Sequence, residues 1–244
     1  MTRRIFNTNI FFSYIYSAIG KNVLLFSSTE NLTYIGIEKP ILMGENYLLL
    51  PEAFEAFEKM KMAAEKDGLR LWGTSGYRSF ESQKTIWNEK YKKLKLQFPS
   101  YSEIDIINCI IEFTAIPGTS RHHWGTDIDI VDAFGYKNEN PLTNENFSEK
   151  GEYQYLNYWL SKNAESFGFC LVYTENPDRK GFKFEPWHYT YFPLSKEILH
   201  KICNYSFEDI KEMKTVLGNE LFSKSYFESY KSNYLFGINH FLIS

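Results

Sequence analysis

The spacing of apolar side chains divides the chain into helical and extended stretches. From Leu50 to Gly68, Phe54, Phe57, Met60 and Ala64 recur three or four residues apart, the period of one helical face. Pro51 suits the first turn of that helix and Gly68 its stop. Leu69 to Leu71 reads as a short strand running into Gly73-Thr74-Ser75-Gly76. A second helix is expected over about Ser79 to Leu96, with Ile86, Trp87 and Tyr91 on its packing side. A third runs from Ser102 to about Phe113, with Asp105 as the capping partner of Ser102. Between Thr126 and Val131 the period changes to two: Asp127 and Asp129 share one face, Ile128 and Ile130 the other, as in a half-buried strand. Glu152 to Phe167 is again helical, with Tyr155, Trp159 and Leu160 inward and Gly168 ending it. Phe169–Tyr173 and Phe184–Tyr191 read as strands. The stretch after Ser195 reads as helical, with Ser195 and Ser206 as N-caps and Leu199, Ile210 and Leu217 in the core. The pattern predicts an α+β fold, a small sheet with helices around it and a helical C-terminal extension.

Composition narrows the possibilities. A chain of 244 residues, 43% apolar and 18% aromatic, can bury a proper core and is not disordered; one elaborated domain is expected. A net charge of -3 gives no footprint for a polyanion, so no nucleic-acid partner is expected. The chain is expected to be a monomer. Lys90, Lys92, Lys93 and Lys95 read as a solvated helix face. No stretch approaches the ~20 apolar residues that would span a bilayer. Cys109, Cys170 and Cys203 contain no Cys-x-x-Cys pair and read as three partly buried thiols. At the N-terminus, Arg3 and Arg4 precede an apolar run from Ile10 to Ile19, and Ala18-Ile19-Gly20 resembles a cleavage site. Asn7, Asn9, Ser13 and Ser17 dilute the run, so residues 1–44 read as either a divergent signal segment or an arm packed on the domain.

The chemistry concentrates in two short segments. Of five histidines, three lie in segments that also carry carboxylates. The first runs from Pro117 through Arg121-His122-His123-Trp124-Gly125 to Asp129, where Gly125 permits the turn that could fold His122 toward the following strand. A mixed imidazole and carboxylate set suits zinc. Spacing alone does not choose His122 over His123, or Asp129 over Asp127. The second, Phe184-Glu185-Pro186-Trp187-His188-Tyr189, adds a third histidine and a carboxylate three residues before it. Positions three apart face opposite sides of a flat strand. Either Pro186 distorts the strand or only one of the two residues faces the site. A zinc ion with three protein ligands keeps a position for water, and Glu185 is the natural candidate to take that water's proton.

Three segments, Ser75-Gly-Tyr-Arg-Ser-Phe-Glu-Ser-Gln83, Ser120-Arg-His-His-Trp-Gly-Thr-Asp-Ile-Asp129 and Glu185-Pro-Trp-His188, resemble in order the motifs of the VanY-like D-alanyl-D-alanine carboxypeptidases. That group is related to the lysostaphin-type enzymes and the hedgehog signalling domain. The resemblance covers roughly Glu45 to Pro193. It implies a small antiparallel sheet with flanking helices, a catalytic domain over 45–193 and a C-terminal extension over 194–244. It implies one Zn²⁺ ion held by His122, Asp129 and His188, with Glu185 as general base and Arg78 stabilising the oxyanion. Ser120, Gln83, Tyr77 and Trp187 are implied as substrate contacts, Gln83 and Ser120 to the peptide and its terminal carboxylate. The implied activity is removal of a terminal D-alanine from peptidoglycan stem peptides, at the cell envelope, in the periplasm or after export. The alternatives are an endopeptidase of the same group and a zinc-bearing binding module. His123-Trp124 directly after the first ligand, and the stretch Tyr234–Asn239, depart from the pattern.

Overall fold

A computed structural model describes residues 31–134 and 140–243. The expectation for the N-terminal run from Ile10 to Ile19 lies outside them.

The first helix, α1 (Pro51–Lys66), buries Ala53, Phe57, Met60 and Ala64, the stripe its spacing predicts, and Gly68 leaves it at φ +81°. Strand β1 (Leu71–Ser75) follows, two residues later than the pattern suggests. Ser79 caps α2 (Phe80–Gln97) by accepting from the Ser82 amide. Ser102 and Asp105 close a reciprocal capping box on α3 (Glu103–Ile111). A 3-10 turn at Arg121–Trp124 ends on Gly125 at φ +69°, and the chain enters β2 (Asp127–Asp132). A one-turn helix, α4 (Asn144–Phe147), precedes α5 (Gln154–Asn163), which runs through a 3-10 turn to Gly168. Strands β3 (Phe169–Leu171) and β4 (His188–Tyr191) complete the sheet, followed by α6 (Phe192–Ile202) and, after several 3-10 turns, α7 (Lys224–Tyr230).

The four strands pair antiparallel in the order β1-β2-β4-β3. The α+β reading therefore holds, with several local corrections. β2 is buried on both faces rather than half-buried, because its polar face lies under the chain that carries His188 and Arg121. On α5 it is Leu156 that turns inward while Tyr155 is exposed; Trp159 and Leu160 set the phase and Tyr155 falls outside it. Ser195 sits inside α6, where the Pro193 first turn already starts the helix, so it is not an N-cap. Ser206 makes no side-chain cap. Val216 rather than Leu217 reaches the core.

The core has two parts. One packs Leu49, Phe57, Met60, Ile128, Ile130, Leu156 and Phe169 between α1, α5 and the sheet. The other packs Trp87, Ile106 and Ile110 against Ile198, Phe207, Phe227 and Leu235 of the C-terminal stretch. A fully buried side chain of this size contributes about 1.5–3 kcal/mol. These clusters fix the sheet from one side and the 115–124 segment from the other. Among the described residues no helix is long and apolar enough to cross a membrane.

Candidate active site

Strand register brings the chemistry together. Asp129 on β2 lies directly opposite His188 on β4 and pairs with Ser75 across an irregularity in β1. Opposed side chains on neighbouring strands stand about 5 Å apart. The 3-10 turn before Gly125 then folds His122 over the same spot. Ligand atoms of His122, Asp129 and His188 all lie within 4.8 Å of one another, and all three residues are buried. His123 points elsewhere: Nδ1 meets the Arg78 carbonyl at 2.6 Å and Nε2 accepts from the Gly118 amide. Burial pushes the His123 ring down to about 4, so it is a neutral brace. The fold thus gathers His122, Asp129 and His188, and not His123, at one point that could hold a metal ion.

Each imidazole presents one nitrogen to the centre because the other is occupied. His122 Nδ1 lies 2.8 Å from the Gly76 carbonyl, which leaves Nε2 facing Asp129 Oδ2 at 3.5 Å. Burial and the neighbouring Arg78 hold His122 well below its ordinary value, so it is neutral with a free lone pair. His188 Nε2 bonds to Asp127 Oδ2 at 2.9 Å, leaving Nδ1 at 3.4 Å from Asp129 Oδ1 and 3.2 Å from Glu185. Burial opposes charge on His188, but the bonds to Asp127 and Glu185 outweigh it and push the ring up to about 10. Burial, reinforced by the charge of Glu185, raises Asp129 to about 6 despite the opposing pull of His188. Its Oδ1 is buried and accepts no hydrogen bond. A carboxylate oxygen left without a donor, between two imidazole nitrogens and beside a second carboxylate, calls for a cation. Two imidazoles and one carboxylate form a donor set that zinc accepts with a fourth position open.

Glu185 resolves the question of the strand. The chain is not extended before His188: Pro186 and Trp187 form a turn closed by the His188 amide on the Glu185 carbonyl at 3.1 Å. That turn puts Glu185 on the side of His188. Arg78, on the segment after β1, is fixed by Nη1 to Gln83 Oε1 at 2.7 Å and Nη2 to Ser75 Oγ at 2.9 Å. Gln83 in turn donates to the Ala115 carbonyl at 2.8 Å. Arg78, Gln83, Ser120, His122, Asp129, Glu185, Trp187 and His188 line one cleft of about 580 Å³. Tyr77 is not part of that lining; its hydroxyl is buried without a hydrogen bond.

Two features of the site escape a reading of the sequence. Asp127, fully buried, accepts from Arg121 Nε at 2.7 Å, Thr190 Oγ1 at 2.5 Å and Thr126 Oγ1 at 2.8 Å while it holds His188. Desolvation disfavours its charge, but Arg121 and His188 outweigh that and keep it ionised far below the usual carboxylate range. Asp127 therefore braces His188 from behind and lies outside the candidate cluster. Arg121 is sandwiched between this carboxylate and the Trp124 ring, 4.3 Å from its centroid. The second feature is Lys90, whose ammonium turns into the cleft instead of the solvated face expected of it.

The profile of the family VanY, D-alanyl-D-alanine carboxypeptidase, matches residues 46–194. Similar proteins include YodJ of Bacillus subtilis (strain 168), a carboxypeptidase by assignment, 29% identical over 182 residues, or 74% of this chain and 54% of that protein. A D-alanyl-D-alanine carboxypeptidase of Enterococcus faecium is 25% identical over 181 residues, or 72% of this chain and 49% of that one. The chain thus spans about half the length of these curated relatives. Among solved structures, it resembles a variant of the vancomycin-resistance D,D-pentapeptidase VanY from a VanB-type cassette in complex with Zn(II). The TM-score is 0.50 at 26% identity, covering 66% of this chain and 84% of the other.

Proposed function

The chain belongs to the VanY D-alanyl-D-alanine carboxypeptidase family, and from that premise we propose that it is a zinc carboxypeptidase removing the terminal D-alanine of peptidoglycan stem peptides. The observation that carries this reading is the convergence of His122, Asp129 and His188 with Glu185 and Arg78 in one cleft. A binding module needs no carboxylate at 3.2 Å from a ligand histidine and no guanidinium fixed at two points beside it. When bound by the three side chains, zinc polarises a carbonyl oxygen and acidifies a water.

The chain's own residues supply the rest. Glu185 takes the proton of the attacking water and delivers it to the leaving amine. Arg78, whose orientation is set by Ser75 and Gln83 before substrate arrives, meets the charge that grows on the scissile carbonyl oxygen. Gln83 has both ends of its amide engaged, which supports a bracing role for it. Ser120, Trp187 and, from outside the cleft lining, Tyr77 complete the proposed substrate-contact set. Residues 45–193 form the catalytic unit in this reading, with 194–244 as an extension that grips the 115–120 loop. The proposed substrate class supports a position at the cell envelope, reached by export.

Zinc-loaded protein incubated with purified pentapeptide and cross-linked muropeptides, with products read by mass spectrometry, tests the proposal. Loss of a single terminal alanine is expected, and Glu185→Ala with equal zinc content should abolish it. Internal cleavage would replace the carboxypeptidase by an endopeptidase. Tight zinc binding without turnover of any muropeptide would leave a binding module.

A further inference from the structure

Lys90 stands two helical turns beyond Gln83 on α2, so both side chains leave one face of the helix, and that face walls the cleft with Ile86 between them. The two polar ends are anchored on consecutive residues. Gln83 Nε2 donates to the Ala115 carbonyl at 2.8 Å, and Lys90 Nζ donates to Thr114 Oγ1 at 2.5 Å. The ammonium therefore stands on the same cleft wall as the Arg78–Gln83 pair, near enough to Arg78 for the two charges to interact. Among the described residues Lys90 has no ion-pair partner; its single hydrogen bond to Thr114 leaves two N–H groups free. Burial pulls its ammonium below the usual lysine value, while the charge of Glu185 sustains it. A cation kept partly desolvated and unpaired at the wall of a peptide-sized cleft lacks an anion.

The reaction proposed above supplies one. In a chain-terminal residue the scissile carbonyl and the free α-carboxylate are separated by one residue's rise, ~3.5 Å. With Arg78 at the carbonyl oxygen, a carboxylate one residue further along the same wall would face Lys90. We infer that Lys90 binds the free α-carboxylate of the substrate's terminal residue and so selects chain ends over internal bonds. This rests on the peptidase reading.

The test compares a stem pentapeptide bearing a free terminal carboxylate with the same peptide as its C-terminal amide, using zinc-loaded wild type, Lys90→Met and Lys90→Arg. Wild type should favour the acid in kcat/KM. Lys90→Met should shrink that acid-to-amide ratio by roughly ten- to a hundredfold, the loss of a charged hydrogen bond, mainly through KM. Lys90→Arg should retain most of the ratio. Equal losses on acid and amide, or an unchanged ratio in a folded Lys90→Met protein, would overturn the assignment. If wild type hydrolyses neither peptide, the peptidase reading fails separately. Calorimetry with D-alanyl-D-alanine and its amide then decides the carboxylate site: a Lys90-dependent preference for the acid sustains it and equal affinities overturn it.

Discussion

Replacing Asp127 by alanine removes the one carboxylate that both neutralises Arg121 and holds His188 Nε2. Asp127 is fully buried and the Arg121 side chain nearly so, with a 2.7 Å contact between them. Stripping one partner from such a pair leaves an uncompensated buried charge, which costs about 3–5 kcal/mol. Urea unfolding of the zinc-free protein should show a loss of that size. The second consequence is separable from the first. With Nε2 released at 2.9 Å, the His188 ring loses its fixed tautomer and orientation, and zinc affinity should fall about 10–100-fold. The double variant Arg121→Met/Asp127→Ala removes the stranded charge and should recover much of the stability, yet leave zinc affinity low. A competition titration against a chelator of known affinity reads the second quantity at each step. Zinc affinity that stays at the wild-type value in Asp127→Ala, or that returns along with stability in the double variant, would refute the idea that Asp127 orients the ligand.

Tyr230, on α7, accepts from the Ile116 amide at 3.3 Å and shares a 3.0 Å bond with Thr119 Oγ1. Tyr230→Phe should therefore cost roughly 1–3 kcal/mol in urea unfolding by stranding a buried amide, and an unchanged midpoint would show that the C-terminal stretch does not hold the loop. Burial, with Glu165 adding to it, pushes the Cys170 thiol up to about 11, whereas Cys109 is exposed. Because a raised thiol pKa keeps the reactive thiolate scarce until the pH nears that value, iodoacetamide at pH 8 should label Cys109 first. Labelling of Cys170 should climb steeply toward pH 11, and peptide mapping that finds equal rates at pH 8 would contradict the environment described.

Much of this architecture was legible because several segments carry complete local instructions. Pro51 and Gly68 bracket a stripe that needs no tertiary knowledge, and Ser102 with Asp105 states a helix start outright. The site was legible to a different depth. Two His-and-carboxylate segments announce a metal, but His122 and His123 are chemically alike. The motif resemblance picks His122, and the fold shows the physical difference: both His123 nitrogens are spent on Arg78 and Gly118, while His122 keeps Nε2 toward Asp129. Glu185 shows why period rules fail at a site: a turn at Pro186 puts two residues three apart on the same side. Asp127 and Arg121 were missed because a buried ion pair is defined by its partner, and nothing in the alternation of β2 names one. For Lys90 a signal existed, its seven-residue spacing from Gln83 on a helix, but a run of lysines masked it.

X-ray absorption of the zinc-loaded protein at the zinc edge, with metal content measured alongside, reads the proposed ligand set itself. One zinc per chain is expected in an all nitrogen-and-oxygen shell at ~2.0–2.2 Å containing two imidazoles, with stoichiometric zinc lost in His122→Ala, Asp129→Ala and His188→Ala but kept in His123→Ala. A sulfur shell at ~2.3 Å, or full zinc occupancy in His188→Ala, would contradict it.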